Sequence, residues 1–556
     1  MGPKSCALFV CSFKRPSLKT ILRNGSSPHT FAATRGVHQK IVPQSAMPQH
    51  LSSSTAFAYT AGRWLHLDKL QRDARYIEFN LDRLCERVLS LCPSATSIKS
   101  CQKLEGGFSR AFIITTNDGR QVVAKFPTSV AGPARYVTNS EVATITYLRR
   151  HTKVPIPAIL DWCDDPTNPI GSAYIIMEHA GGVQLQEVWV DLPVHVKVKI
   201  VGAICFSILP ISELDFPAYG SLYFADTAFL DADSMQRIDT DDQFCIGPHC
   251  RSTYWDCNVG EQRYYAFKKP NRGPWPDLSS YASALIDVGF SRLPPADHPT
   301  LQLPQASYQG SLNKHLELLD VAQALFPKLI QHPEIQSNAT PTLFHPDLHM
   351  RNIFVSKDDP TTVTGFIDWQ CTSVEPSFYY ADDVPDFAMV PTEETPENAT
   401  ESLCSQAYEG GWALLAPRLG ATRKIDESLL RPFRYCHRTW RDGFVPFTYE
   451  LMRLRDRWKE IGFTDDDDCP IPPLSEEDMR LYEKQLDVYE KILQLKRDVI
   501  TTLGVEEDGW VSADRWEGVR QAHRDIYETV MASMEDDQDR EELKTFWPFD
   551  DYHVGQ

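Results

Sequence analysis

The sequence predicts an α+β chain of two lobes, a five-stranded antiparallel sheet carrying one helix followed by a mainly helical lobe with a large insertion. Three observations carry this expectation. Beta-type runs between residues 97 and 177 come in the order three strands, a helix, two strands. Beyond Gly182 the apolar residues recur at helical spacing, and a stretch near 215–310, rich in Pro, Gly, Tyr and Trp, interrupts that spacing as an insertion.

The first three strands are Ser97 to Lys103, Arg110 to Thr116 and Arg120 to Phe126. Glu105-Gly106-Gly107-Phe108 and Asn117-Asp118-Gly119 separate them, and the second of these is a strong hairpin turn. Ser140 to Arg150 is a helical run closed by Pro155, and Ala158 to Trp162 and Tyr174 to Met177 supply the last two strands. In the second lobe Val194 to Leu209, Leu312 to Ile330 and Ser475 to Leu503 read as helices. The last begins on Ser475 and Asp478, a capping box with Asp in place of Glu, and ends at Gly504. Its face of Leu481, Tyr482, Leu486, Tyr489, Leu493 and Ile500 reads as core. The divisions expected are a leader over 1–60, a first lobe over 61–182, and a second lobe over 183–556.

At 556 residues with 42% hydrophobic and 24% charged side chains, the chain has ordinary globular composition and material for more than one domain. The charge is uneven. Residues 1–67 hold eight Lys or Arg and no acid, whereas the remainder carries 75 acidic against 48 basic side chains. Such an acidic body disfavours nonspecific nucleic-acid binding, which depends on neutralising phosphates. The basic start, with Arg15, Lys19, Arg23 and Arg35 at intervals, has the composition of a mitochondrial transit peptide. Its apolar core Ala7 to Phe13 is short and is followed by Lys14-Arg15, which argues against a secretory signal; a basic tail without a targeting role is the bland alternative. The longest apolar run, Ile200 to Ile211, is about twelve residues against the ~20 that a membrane span needs, so no span is expected. Fourteen scattered cysteines form no disulfide framework. Cys245, His249, Cys250 and Cys257 lie close together, but their spacing fits no standard zinc pattern.

The chemistry is carried by Phe344-His345-Pro346-Asp347-Leu348-His349-Met350-Arg351-Asn352, followed by Asp368 in Phe366-Ile367-Asp368-Trp369. Phosphoryl transfer asks for a carboxylate at the attacking hydroxyl and for oxygen ligands that hold Mg2+ on the phosphates. Asp347 fills the first role; Asn352 and Asp368 fill the second, and Asp347 and Asn352 are the expected catalytic residues. Two short beta-type runs around the turn Lys357 to Pro360 bring Asp368 back beside Asn352. His345 reads as a structural histidine that braces the loop.

In the first lobe Lys125, ending the third strand, is placed to reach the phosphates, and Glu141 on the following helix to hold it inward. A strand-end lysine alone is commonly just solvated, so its order relative to Glu141, Asp347 and Asp368 carries the reading. Gly106 and Gly107 allow close backbone approach to phosphate, and Ser109 offers a hydroxyl, although the loop lacks a full G-x-G-x-x-G. Met177-Glu178-His179-Ala180 is the expected hinge, with the backbone of Glu178 and Ala180 meeting adenine.

With these residues in place the chain resembles the aminoglycoside phosphotransferase and choline kinase branch of the protein-kinase-like fold. The matching pieces are Glu105-Gly-Gly-Phe-Ser, Val-Val-Ala-Lys125, Ser140-Glu141-Val-Ala-Thr, His345-x-Asp347-x4-Asn352 and Ile367-Asp368-Trp369. More narrowly it looks like fungal "altered inheritance of mitochondria" proteins of this type, through Arg63-Trp-Leu, Glu78-Phe-Asn, Val130-Ala-Gly-Pro and Gly247-Pro. Pro346 departs from the Gly usual at that position. The resemblance implies a two-lobed kinase-like fold, ATP and Mg2+ as cofactors, a small-molecule hydroxyl acceptor and mitochondrial residence. It names no acceptor. The competing readings are a catalytically weak nucleotide-binding scaffold in mitochondria and an enzyme that transfers the nucleotidyl group.

Overall fold

The computed structural model describes residues 53–238, 241–302, 307–390, 399–464, 468–534 and 536–549. Most of the leader-like segment therefore lies outside the described residues. The described chain divides into two compact units, one holding 53–60 and 69–486, the other 61–68 and 487–549.

In the larger unit the expected sheet is present, with β1 (Ile98–Glu105), β2 (Ser109–Thr116), β3 (Gln121–Pro127), β4 (Ile159–Cys163) and β5 (Tyr174–Glu178). The spatial order is β1-β2-β3-β5-β4 and every pairing is antiparallel. Period-two alternation explains its two faces. Val122, Ala124 and Phe126 of β3 join Phe112 and Ile114 of β2 in one apolar layer, into which Ala56 and Phe79 also pack. Phe79 stacks on Phe126 with ring centroids 4.4 Å apart. Residues 53–60, placed within the leader by sequence, thus help to close this lobe. Being odd-numbered, Lys125 points to the opposite face, where α1 (Ala134–His151) lies.

That helix starts six residues before the expected Ser140. Pro133 supplies its N-cap and its last turn carries Arg149, Arg150 and His151, which suit the negative helix end. From Val137 to Leu148 nearly every side chain is buried. The insertion packs along it: β7 (Ser221–Phe224), β8 (Gln236–Ile238) and β9 (Asp241–Gly247) form a small antiparallel sheet in the order β7-β9-β8, and β7 lies against α1.

The second lobe is mainly helical, with α2 (Val194–Ser212), α3 (Leu278–Ser291), α4 (Leu312–Gln331) and α5 (Ala399–Leu415). α2 contains the twelve-residue apolar run Ile200 to Ile211 and extends it at its N-terminal end through His195, Lys197 and Lys199. At 19 residues with mean hydropathy 1.8 it is long and apolar enough to cross a membrane by length and composition. In the fold its Ile200, Ile204, Ile208 and Ile211 belong to the same core as Trp369, Phe366 and Trp412. The helix Glu476–Leu503 begins where expected, with Ser475 Oγ accepting from the Asp478 N–H at 3.1 Å and donating to its carboxylate at 2.6 Å. Leu481 of the expected apolar face is exposed instead, while Tyr482 is buried.

The smaller unit is a separate assembly. The strand Gly62–Trp64 pairs with Trp510–Ser512, and the helix Trp516–Ala532 packs Trp516 and Ile526 with Leu65, Val511, Trp547 and Phe549.

Candidate functional site

The catalytic-loop segment sits between two pairs of short strands. β10 (Pro341–Leu343) leads into it and pairs with β13 (Val374–Pro376); β11 (Ile353–Val355) leads out and pairs with β12 (Val363–Phe366). The turn between β11 and β12 is closed by Asp359, whose carboxylate accepts from the Thr361 N–H and from the hydroxyls of Thr361 and Thr362. Pairing of Ile353 with Phe366, and donation from the Ile367 N–H to the Asn352 carbonyl at 3.0 Å, set Asp368 beside Asn352. β6 (Val183–Gln184) adds to the far side of β11. The connection is tight at Gly182, which has φ +97 and where an added Cβ would lie 2.1 Å from the Val355 carbonyl oxygen. Only glycine fits there.

Lys125 Nζ lies 2.6 Å from Glu141 Oε1 and 2.7 Å from Asp368 Oδ1, so residues far apart in sequence from both lobes converge on one ammonium. Lys125 is 7% and Glu141 2% exposed. Burial works against the lysine's charge, but the Asp368 and Glu141 carboxylates outweigh it and hold the ammonium above its ordinary range. The same pairing outweighs burial at Asp368 and keeps that carboxyl below the usual carboxylate range, whereas at Glu141 burial wins and the carboxyl is raised. Asp368 has φ +66, in the left-handed region that Asp tolerates better than most residues.

Asp347 is held by its own loop. Asn352 Nδ2 donates to the Asp347 carbonyl and to Oδ2, each at 2.8 Å. That leaves Asn352 Oδ1, together with the part-exposed carboxylate of Asp368, as hard oxygen donors at the strand end. One amide and one carboxylate suit Mg2+, which keeps several waters and is bound through one or two protein oxygens plus phosphates. His345 braces the loop: its Nε2 donates to the Ile367 carbonyl at 3.0 Å and its Nδ1 accepts from the Asp347 N–H at 3.1 Å, which fixes the tautomer. Burial lowers its pKa and keeps the ring neutral.

The Gly106-Gly107 turn joins β1 to β2, with the Gly106 N–H donating to the Ser109 carbonyl at 2.9 Å. It is pinned from beneath by groups that sequence reading did not single out. Glu105 accepts from the Thr60 N–H and hydroxyl and lies 3.1 Å from Lys103 and 3.3 Å from Arg110, while Arg75 Nε donates to the Gly107 carbonyl. An added Cβ at Gly107 meets nothing within 4 Å, so the turn is open on that side. Gln370 Nε2 donates to the Phe108 carbonyl at 3.3 Å, linking this turn to the segment after Asp368. Glu178 ends β5 with its N–H bonded to the Ala158 carbonyl, and Ala180 is buried just beyond it.

Beside Asp347 lies a cavity of about 260 Å³ whose walls include His349, Asp382, Asp383 and Tyr408. The insertion packs on α1 and on the chain after Asp368, where the Val374 and Gly220 backbones bond to each other. Asp382 is ion-paired with Arg434, which offsets part of the acidity of the cavity. The Cys/His group of the insertion has partners of its own in the fold. His249 Nε2 bonds buried Glu375 at 2.7 Å, and Cys250 lies against the Tyr223 hydroxyl at 2.9 Å.

The described residues have an α+β architecture built on a five-stranded antiparallel sheet, and the resemblance carried by the motifs is matched over residues 282–379, which include Asp347, Asn352 and Asp368, by a profile of the phosphotransferase enzyme family. Among individual proteins, a subtelomeric hrmA-associated cluster protein of Aspergillus fumigatus is 31% identical over 50% of this chain, which spans 58% of that relative's length, less than two thirds. The mitochondrial altered inheritance of mitochondria protein 9 of Yarrowia lipolytica is 23% identical over 83% of this chain and 85% of its own length. Of solved structures, the ADP-bound aminoglycoside phosphotransferase APH(2'')-Ib aligns at 13% identity over 69% of this chain and 100% of its own, with a TM-score of 0.37.

Proposed function

We propose that the chain is an ATP-dependent phosphotransferase that acts on a hydroxyl of a small molecule. The observation that supports this most directly is the convergence of Lys125, Glu141 and Asp368 within hydrogen-bond distance, beside a loop that holds Asp347 and Asn352 together. In this reading Lys125, kept charged and aimed by Glu141, binds the α- and β-phosphates. The Gly106-Gly107 turn and Ser109 cover the phosphates, and the backbone of Glu178 and Ala180 receives adenine. Asn352 and Asp368 would hold Mg2+, which supplies charge neutralisation on the phosphates when bound.

Asp347 orients the acceptor hydroxyl and takes its proton. As the acceptor oxygen bonds to the γ-phosphorus, the bond from that phosphorus to the bridging oxygen breaks and its electron pair leaves with ADP. Mitochondrial residence is part of the same proposal, supported by the basic, acid-free start and by the names of relatives such as the Yarrowia lipolytica protein.

The test compares purified wild type with Asp347→Asn and Asp368→Ala. Asp347→Asn is expected to bind MgATP within about twofold of wild type and to lose at least about 100-fold in phosphoryl transfer to a metabolite-extract acceptor or to water, the usual scale for a general base. Asp368→Ala is expected to lose Mg2+-dependent nucleotide binding. Wild-type turnover in Asp347→Asn would refute the assignment of the base. Label from the α-phosphate, rather than the γ-phosphate, appearing on the acceptor would establish nucleotidyl transfer instead.

A further inference from the structure

Arg351 lies inside the catalytic loop, and none of the roles assigned above uses it. Its Nη2 sits 2.9 and 2.8 Å from the two carboxylate oxygens of Asp347. Asn352 Nδ2 already donates to one of those oxygens, and His349 Nε2 is 3.3 Å from the other. The carboxylate that would receive a hydroxyl proton, 31% exposed, is therefore shared at rest between Arg351 and Asn352, with His349 close by.

The three donors differ in how firmly they are held. Asn352 is 6% exposed and tied twice to residue 347. His349 is anchored on its other side by Asp386, whose N–H donates to Nδ1 at 3.3 Å. The Arg351 side chain is 44% exposed, and its guanidinium bonds only to Asp347 among the described residues. Its backbone is fixed, however, with Gln184 Nε2 donating to the Arg351 carbonyl at 2.9 Å. A pinned stem with a loosely held head is free to swing. The arginine also precedes Asn352, whose carbonyl is bonded to the strand end that carries Asp368. In the phosphotransferase reading a phosphoryl group passing from nucleotide to acceptor travels between Asp347 and Asp368.

We propose that Arg351 is a ligand of the transferring phosphoryl group: it caps Asp347 in the resting site and moves onto the γ-phosphate oxygens when MgATP binds, uncovering the base as it does so. A guanidinium suits both stations, because its planar fork matches carboxylate and phosphate alike and stays charged throughout. Arg351 makes and breaks no covalent bond; it only exchanges one set of oxygen acceptors for another. The inference rests on the phosphotransferase reading, and it predicts a property that reading does not, a dependence of γ-phosphate recognition on residue 351.

The experiment measures binding of MgADP and of the magnesium complex of an ATP analogue with a β,γ-imido bridge to the full chain by calorimetry. Wild type, Arg351→Gln and Arg351→Lys are compared, each with its melting temperature. Arg351→Gln should weaken the triphosphate by about tenfold or more, the scale of a lost charge-assisted hydrogen bond, leave ADP within about twofold, and melt within about 2 °C of wild type as a part-exposed site allows. Arg351→Lys should retain part of the triphosphate preference. Unchanged triphosphate affinity in Arg351→Gln, or equal losses for both nucleotides, would overturn the proposal. A wild-type chain that binds neither nucleotide would bring down the phosphotransferase reading and this inference with it, a failure distinct from a wild type that binds both and a variant that matches it.

Discussion

Replacing Lys125 by Met tests the centre of the site through stability, independently of any acceptor. Met keeps most of the stem and removes the charge. Glu141, 2% exposed, then loses its partner at 2.6 Å, and removing one member of a buried ion pair costs about 3–5 kcal/mol. Asp368, with 39% of its side chain exposed, can turn to water, so the low end, about 3 kcal/mol, applies. Unfolding entropy of ~2.1 cal/mol/K per residue over the roughly 420 residues of the larger unit is about 0.9 kcal/mol/K, which makes the expected fall in Tm about 3 °C.

The loss should also depend on pH. Burial already raises the Glu141 carboxyl in the presence of Lys125, and without it the rise must be greater. A carboxyl whose folded pKa exceeds its unfolded one favours the folded state while protonated, and that stability is lost as pH rises through the folded value. Asp368 acts in the same direction. Its depressed pKa gives wild type stability above the ordinary carboxylate range that fades as pH falls, and Lys125→Met gives up that contribution. The gap between the two proteins should therefore be widest near pH 8 and narrow toward pH 5, as followed by circular-dichroism melts. An equal gap at both pH values, or an unchanged Tm at pH 8, would refute the buried-pair account.

At Gly182, Ala would have to adopt φ +97 with its Cβ 2.1 Å from the Val355 carbonyl, so Gly182→Ala should lower stability by about 2 kcal/mol or more; an unchanged urea midpoint would show that the connection can relax. Glu375, 1% exposed and bonded to His249 and Ser373, is held at about 2. A carboxyl depressed in this way contributes stability above its unfolded pKa and loses it as pH falls, here about 3 kcal/mol between roughly pH 5 and pH 2. Glu375→Gln should flatten the acid limb of the Tm-versus-pH curve, and an unaltered limb would mean that the group's ionisation is not linked to folding.

The sheet could be read from sequence because its turns are marked by Gly107 and Asn117-Asp118-Gly119 and its strands alternate, so Lys125 falls on the opposite face from Val122, Ala124 and Phe126. The hairpin beyond Asn352 was legible for a similar reason: Lys357 to Pro360 is local turn chemistry, and it fixes where Asp368 arrives. The contacts that pin the site were not. Arg75 on the Gly107 carbonyl, Gln370 on the Phe108 carbonyl and His249 on Glu375 join residues 32, 262 and 126 positions apart, and no periodicity in one chain records such meetings. Arg351 could have been noticed four residues after Asp347, but only coordinates show that its head lies on that carboxylate.

The single amide of Asn352 has a further consequence. Its nitrogen grips residue 347 twice, which leaves its oxygen as a donor for an ion. In the proposed reading, proton acceptance and ion holding would thereby belong to one piece of the helical lobe, and any rocking between lobes would carry both together. What would slide past them is the sheet, with Lys125, its proposed phosphate contact, as the leading edge.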